Sequence, residues 1–232
     1  MLKADTHAVS ELPPLFAAPR SARPAVAEAL LNAGASVDST DADGRTPLML
    51  ASAAGNAALT RLLLALHAPP DVEDHRHRTA LLYAALSGSR DTVELLLAAG
   101  ANAKRTDGQG ATALHAAASQ AQAAVITPLL SADIALNGRN AQGDTALLAA
   151  AATGHAEVVK ALLDGKADLD AQNNAGDTAL IAASRGGYAA ICRLLAAAGA
   201  NKALRNAAGT SAADVARGRG FASIAQELTG GA

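Results

Sequence analysis

The residues best able to do chemistry are six histidines, one cysteine and a short run of cations. His75 and His77 alternate within Glu73-Asp74-His75-Arg76-His77-Arg78, a spacing that offers two metal ligands. Apart from Asp71, Glu73 and Asp74 no third ligand stands nearby, and a solvated loop explains the run better than a metal site. Cys192 sits between Ile191 and Leu194-Leu195, in the setting of a buried filler and not of a nucleophile. No Gly-x-Ser-x-Gly elbow, Walker-type phosphate loop or His-Glu-x-x-His stretch occurs. Gly108-Gln109-Gly110 resembles a phosphate loop only in its glycines, because it immediately precedes a helix-opening Thr112. The reading is therefore of no catalytic residue, no cofactor and no bound metal, and of a protein that is not an enzyme.

The elements that would carry these residues repeat. Thr46-Pro47-Leu48-Met49-Leu50-Ala51 has counterparts opening at Thr79, Thr112, Thr145 and Thr178, each 33 residues after the last. The same phase reaches Ser211 in one direction and Pro13 in the other, giving seven units. Five residues after each opening residue comes Ala18, Ala51, Ala84, Ala117, Ala150, Ala183 or Ala216. Seventeen after it comes Leu30, Leu63, Leu96, Leu129, Leu162, Leu195 or Leu228. A small residue lets neighbouring helices approach, and a Leu fills the space between layers. The opening Thr follows a turn Gly and can cap a first helix through its hydroxyl. Pro47 suits a first helical turn, which needs no backbone donor there. First helices end near Gly55, Gly88, Gly154 and Gly187; second helices stop at Gly34, Gly100 or Gly199, where a left-handed residue ends a helix. A polar hairpin-like segment leads to the next unit. No unit can bury its apolar face alone, so the units must stack.

Thr46-Pro47-Leu48, Gly154-His155-Ala156-Glu157-Val158-Val159-Lys160 and Leu97-Ala98-Ala99-Gly100-Ala101-Asn102 resemble the ankyrin repeat. The resemblance covers roughly residues 11–229 and implies an all-α solenoid of helix-turn-helix units with hairpin-like fingers. The expected division is a flexible tail at 1–10 and one repeat domain at 11–229. Within it, 11–45 is the N-terminal cap unit, 46–210 are five central units and 211–229 is the C-terminal cap. The resemblance also implies structural roles for His115 and His155, bonded to backbone or hydroxyl groups.

Departures from the frame mark two places. Leu66-His67-Ala68-Pro69-Pro70-Asp71 lacks a terminal Gly, and His77 stands in the next turn-Gly slot. An unusual geometry is expected for this finger. In the Thr112 unit, Ala121 replaces the inter-helix Gly, Pro128 falls within the expected second helix and Asp133 replaces the terminal Gly. An interior Pro removes a hydrogen bond and favours a kink, so residues 119–139 are expected to form a distorted layer. In the Thr145 unit, Gly165-Lys166 puts Gly one residue early.

Composition narrows the function. Half the residues are hydrophobic, but only 2% are aromatic and none is Trp, so Leu, Ala, Val and Ile must fill the core. A net charge of −2 and scattered cations such as Lys104-Arg105 and Arg139 give no nucleic-acid footprint. One cysteine excludes an internal disulfide. No signal-peptide stretch or bilayer-length apolar run is present, so a soluble, cytoplasmic protein is expected. The alanine-rich composition points to a bacterial source. A monomer binding another protein, with no nucleic acid, membrane or small-molecule substrate, is the expected mode. In ankyrin-like stacks the fingers and first helices line a concave face, which the resemblance implies here. Positions free of framework duty on it are Arg45, His75, Arg76, Arg78, Tyr83, Leu86, Gln109, Gln120, Gln142, Asp144, Asn174, Asp177 and Arg185. Arg45, Arg76, Arg78, Tyr83 and Leu86 form the expected hot spot, since Tyr and Arg dominate binding energy. Other readings are an accessory that stabilises a co-expressed enzyme, and a host-directed bacterial effector.

Overall fold

The computed structural model describes residues 36–230. The expected tail at 1–10 and most of the N-terminal cap unit lie outside the described residues. Six helix pairs follow one another: α1 (Pro47–Ala53) with α2 (Ala57–Ala65), and α3 (Ala80–Ser87) with α4 (Arg90–Ala98). Then come α5 (Ala113–Ser119) with α6 (Ile126–Leu130), and α7 (Ala146–Thr153) with α8 (Ala156–Asp164). The last are α9 (Ala179–Gly186) with α10 (Ala189–Ala197), and α11 (Ala212–Gly218) with α12 (Ala222–Thr229). Each first helix packs on the next first helix, and each second helix on the next second helix. Among the described residues the fingers contribute only isolated bridges, Thr106 with Thr112 and Arg205 with Ser211.

The framework residues read from the repeat form this core. Ala51, Ala84, Ala117, Ala150, Ala183 and Ala216 are all fully buried where first helices meet. Leu63, Leu96, Leu129, Leu162 and Leu195 are equally buried between second helices, each worth roughly 1.5–3 kcal/mol of transfer free energy. The hydroxyls of Thr46, Thr145 and Thr178 accept from the N–H groups of Met49, Leu148 and Ile181, as helix capping requires. Thr79 departs from this, because its buried hydroxyl finds no partner. In the last pair Ser211 and Asp214 complete a reciprocal capping box.

The glycine slots of the frame demand a left-handed backbone whatever residue occupies them. Gly44 and Gly110 hold φ of 78° and 71° in finger turns. Among the described residues, the non-glycine residues in that region are His67, His77, Ala121, Asp133 and Lys166, with φ between 54° and 67°. Each stands in a slot where other units carry Gly. The slot is therefore set by the fold, and these five residues bear its strain.

The two irregular stretches turn out differently. In the finger at 74–78 the expected unusual geometry is absent. His77 N–H donates to the Asp74 carbonyl at 2.9 Å, as Gly44 N–H does to Asp41. The second helix after Ala121 is distorted, but not by a kink. A 3₁₀ turn at Ala123–Val125 precedes α6, which spans only Ile126–Leu130. The helix starts late enough that Pro128 falls in its first turn, where a missing N–H costs nothing. A short groove opens there on the second-helix side, between Leu97 of α4 and Pro128 and Ala132.

Candidate functional site

The finger row is built by an Asp or Asn that stands outside the Thr, Ala, Leu and Gly frame. Five residues before each opening Thr or Ser stands Asp41, Asp74, Asp107, Asn140, Asn173 or Asn206. In every case its Oδ1 accepts backbone N–H bonds from the residues two and four positions on. For Asp74 these come from Arg76 and Arg78, both at 2.8 Å. For Asn206 they come from Ala208 and Thr210, both at 3.1 Å. An Asp or Asn recurring every 33 residues was the available signal. Neighbouring tips are also joined by backbone. His75 N–H donates to the Asp43 carbonyl, Gly108 to Arg76, Ala141 to Gln109, Asn174 to Gln142 and Ala207 to Ala175. Their separations run from 2.8 to 3.1 Å. The row is thus one continuous, hydrogen-bonded edge whose backbone is committed and whose tip side chains vary.

At the start of the row, Arg45 is half-buried and paired with Asp41 at 2.8 Å and Asp43 at 3.0 Å. On the next finger Arg76 is exposed, and Arg78 is half-buried with its guanidinium carbon 5.9 Å from the centre of the Tyr83 ring. Tyr83 donates its hydroxyl to Asp74 Oδ2 at 2.6 Å. Burial, and then the bond to Asp74, push the phenol up to about 12, so it stays neutral and donating. Burial would raise Asp74, but the Tyr83 hydroxyl, the two finger N–H groups and the Arg78 charge outweigh it and hold the carboxyl below its usual range. Leu86 packs half-buried against the core edge. The structure thus brings Arg78 and Tyr83 together beside the fixed Asp74 carboxylate, while Arg45 stays on Asp41 and Asp43 of the preceding finger. His75 is exposed at its finger tip, with its ring over Gly44; a Cβ at Gly44 would lie 2.7 Å from His75 Cδ2.

Further along, Gln109, Gln120 and Gln142 are exposed. Asn174 is exposed as well, though its side chain donates to the Ala141 carbonyl at 3.0 Å. Asp144 is half-buried and accepts from Asn173 Nδ2 at 2.7 Å. Asp177 departs from its expected freedom: it is buried, at 3% exposure. Its carboxylate receives both Arg185 amino groups, at 2.5 and 2.8 Å, and Asn206 Nδ2 at 2.9 Å. Burial opposes its charge, but these bonds and the Arg185 charge keep it below the carboxylate range. Asp177 and Arg185 therefore lock the fifth described unit to the sixth, and framework duty takes both.

The histidines and cysteine have structural surroundings. His115 Nε2 bonds the Asp144 carbonyl at 2.9 Å, while Nδ1 lies 2.9 Å from the Thr112 hydroxyl and 3.3 Å from its N–H. This fits a neutral ring with its proton on Nε2, and burial lowers the His115 pKa accordingly. His155 Nε2 bonds the Ser119 carbonyl of the preceding unit at 3.2 Å. His77 pairs with Glu73 at 3.0 Å, apart from His75 on Gly44. Among the described residues no group of three or more His, Cys, Asp or Glu is gathered as metal ligands would be. Cys192 is buried, 3.5 Å from the Ser184 hydroxyl, and burial pushes its thiol up, away from the reactive thiolate. No helix among the described residues is long and apolar enough to cross a membrane.

Stacked helix pairs with a hydrogen-bonded finger row define a helical repeat solenoid. A model of ankyrin repeats in three copies matches residues 14–107, 60–140 and 114–206, and the chain belongs to the ankyrin repeat family. Among solved structures it is similar to the human ASB11 ankyrin repeat domain, at 29% identity and a TM-score of 0.85. That match covers 93% of this chain and 96% of that one. It is similar also to the ankyrin repeat domain of Bcl-3, a unique member of the IκB protein family, at 26% identity and a TM-score of 0.81. Here 95% of this chain and 99% of that one are covered. Among curated proteins none matches the sequence. Ankyrin repeat domains are generally protein–protein interaction scaffolds, typically without catalytic activity.

Proposed function

We propose that this chain is a non-catalytic scaffold that binds a protein partner through its concave finger and first-helix surface. The observation that carries this reading is the contrast along the finger row. The Asp or Asn at the base of each finger and the backbone links between tips recur in every described unit. The side chains displayed on that frame do not: Asp43, Arg76, Gln109, Gln142, Ala175 and Ala208 occupy equivalent tip positions. A rigid edge with changing side chains suits recognition of one extended surface. Among the described residues, the buried His115 and Cys192 are taken up by contacts within the fold.

The test is affinity purification of the full chain from its native source, with mass spectrometry. The reading expects a stoichiometric protein partner whose binding is lost when Arg76, Gln109 and Gln142 are replaced together by Glu. A partner insensitive to that triple substitution, but lost on altering the exposed second-helix residues Arg61 and Lys160, would refute it.

A further inference from the structure

We infer that the finger at 74–78 and the helix behind it anchor a carboxylate-bearing segment of the protein partner. The inference rests on the scaffold reading above and names the chemistry that one part of the surface recognises. Arginines in the other fingers are engaged internally. Arg45 holds Asp41 and Asp43, Arg105 holds Glu73, Arg139 donates to the Gly143 carbonyl, and Arg205 donates to Gly209 and Asp214. Among the described residues, Arg76 and Arg78 make no ion pair, although both have exposed surface. Each guanidinium carries five donors in a planar fork that fits a carboxylate with two parallel bonds.

The site is also held in place. Asp74 lies beneath the two arginines, and its oxygens are occupied by the finger N–H groups and the Tyr83 hydroxyl. It fixes the finger without closing ion pairs on either guanidinium. Arg78 rests over the Tyr83 ring, and at the equivalent helix position the other described units carry Leu50, Ala116, Ala149, Ala182 and Val215. No other described unit places an aromatic ring there. Holding one guanidinium on a ring lowers the entropy lost when it takes a ligand. Half-buried Leu86 lies three residues on from Tyr83 in α3 and adds apolar surface to that face of the helix.

Neighbouring fingers set the direction of approach. Asp43, with 68% of its side chain exposed, repels a second carboxylate on one side. On the other side Gly108 and Gln109 are uncharged and lie against Arg76 through the Gly108 N–H bond. An acidic residue of the partner therefore enters between the second and third described fingers. A nucleic-acid backbone fits less well. The row has no run of aromatics for bases to stack on, and the chain carries a net charge of −2.

The test uses the full chain and two probes, a fluorescently labelled oligoglutamate peptide and an oligodeoxythymidylate of equal charge. The expected result is salt-sensitive binding of oligoglutamate with amide shifts centred on residues 75–78 and 83. Arg76→Ala with Arg78→Ala should weaken it about tenfold or more, with an unchanged circular dichroism spectrum. Arg76→Glu with Arg78→Glu should abolish oligoglutamate binding and confer binding of oligolysine. The inference is overturned if oligoglutamate does not bind, if the double Ala variant binds it equally, or if oligodeoxythymidylate binds more tightly. These outcomes are separable from failure of the scaffold reading. A captured partner that still needs Gln109 and Gln142 but ignores Arg76 and Arg78 would sink the carboxylate anchor alone.

Discussion

The loop at 67–78 and the layer at 119–139 both break the repeat frame, yet only the second breaks the fold. In the loop His67 and His77 replace glycines, and the chain meets the left-handed requirement at φ of 62° and 58°. Asp74 keeps its backbone bonds, so the finger keeps its shape. In the layer Ala121 also adopts a left-handed turn, at φ 60°. There the sequence that follows starts the second helix late, as a 3₁₀ turn and a five-residue α6. Losing a glycine strains one residue. A helix that starts late takes its proline into the first turn but loses length.

Core truncations give the largest expected effect on this comparison. Leu96→Ala, in the regular α4, should cost about 2–5 kcal/mol in denaturant unfolding, whereas Leu129→Ala in α6 should fall toward the lower end, because the short helix can collapse around the gap. Equal losses would mean that the split layer is packed as firmly as its neighbours. Native-state hydrogen exchange should find amides of 126–131 opening about tenfold faster than those of α4 and α8, a difference of ~1.4 kcal/mol. Matching protection would remove the case for a weak layer. Smaller again is the relief of backbone strain. Ala121→Gly should stabilise by about 0.5–1 kcal/mol, and His77→Gly by less, since His tolerates the left-handed region better than Ala. Loss of stability in the Ala121 variant would show that the slot is unstrained.

A separate effect concerns the titration of Tyr83. Its phenol is raised to about 12 in the folded chain, above the ordinary value of about 10. The neutral form is favoured on folding, so this contribution is fully present below about pH 10 and is lost as pH rises toward 12. With Tyr188→Phe, tyrosinate absorbance reports Tyr83 alone, since the chain has two tyrosines. A midpoint near 10 would mean that the bond to Asp74 does not hold. Asp74 and Asp177 work in the opposite sense. Both are held below the carboxylate range, so their contributions are present above about pH 4 and fade as pH falls below it.

The helix pairs, the buried Ala and Leu ladders and the glycine slots were legible in the sequence because each is dictated by what a layer must bury or by backbone handedness. Ala121 and Pro128 likewise announced the irregular layer. Pro128 reads in the sequence as an interior helix breaker, but its effect depends on where the helix starts, which packing decides. The Asp or Asn under each finger was legible but unread, since it recurs as two residue types. Asp177 looked free because its partners, Arg185 and Asn206, are eight residues away and in the next unit. Only tertiary structure reveals that pairing.

Binding of a protein to the finger and first-helix face would slow backbone exchange where the partner sits. Hydrogen-exchange footprinting of the complex with the co-purified partner addresses it most directly. Slowed exchange is expected at finger tips 75–78, 108–109, 141–142 and 174–175, with second helices α2, α4, α8 and α10 unchanged. Protection confined to those second helices, with the tips exchanging as in the free chain, would contradict it.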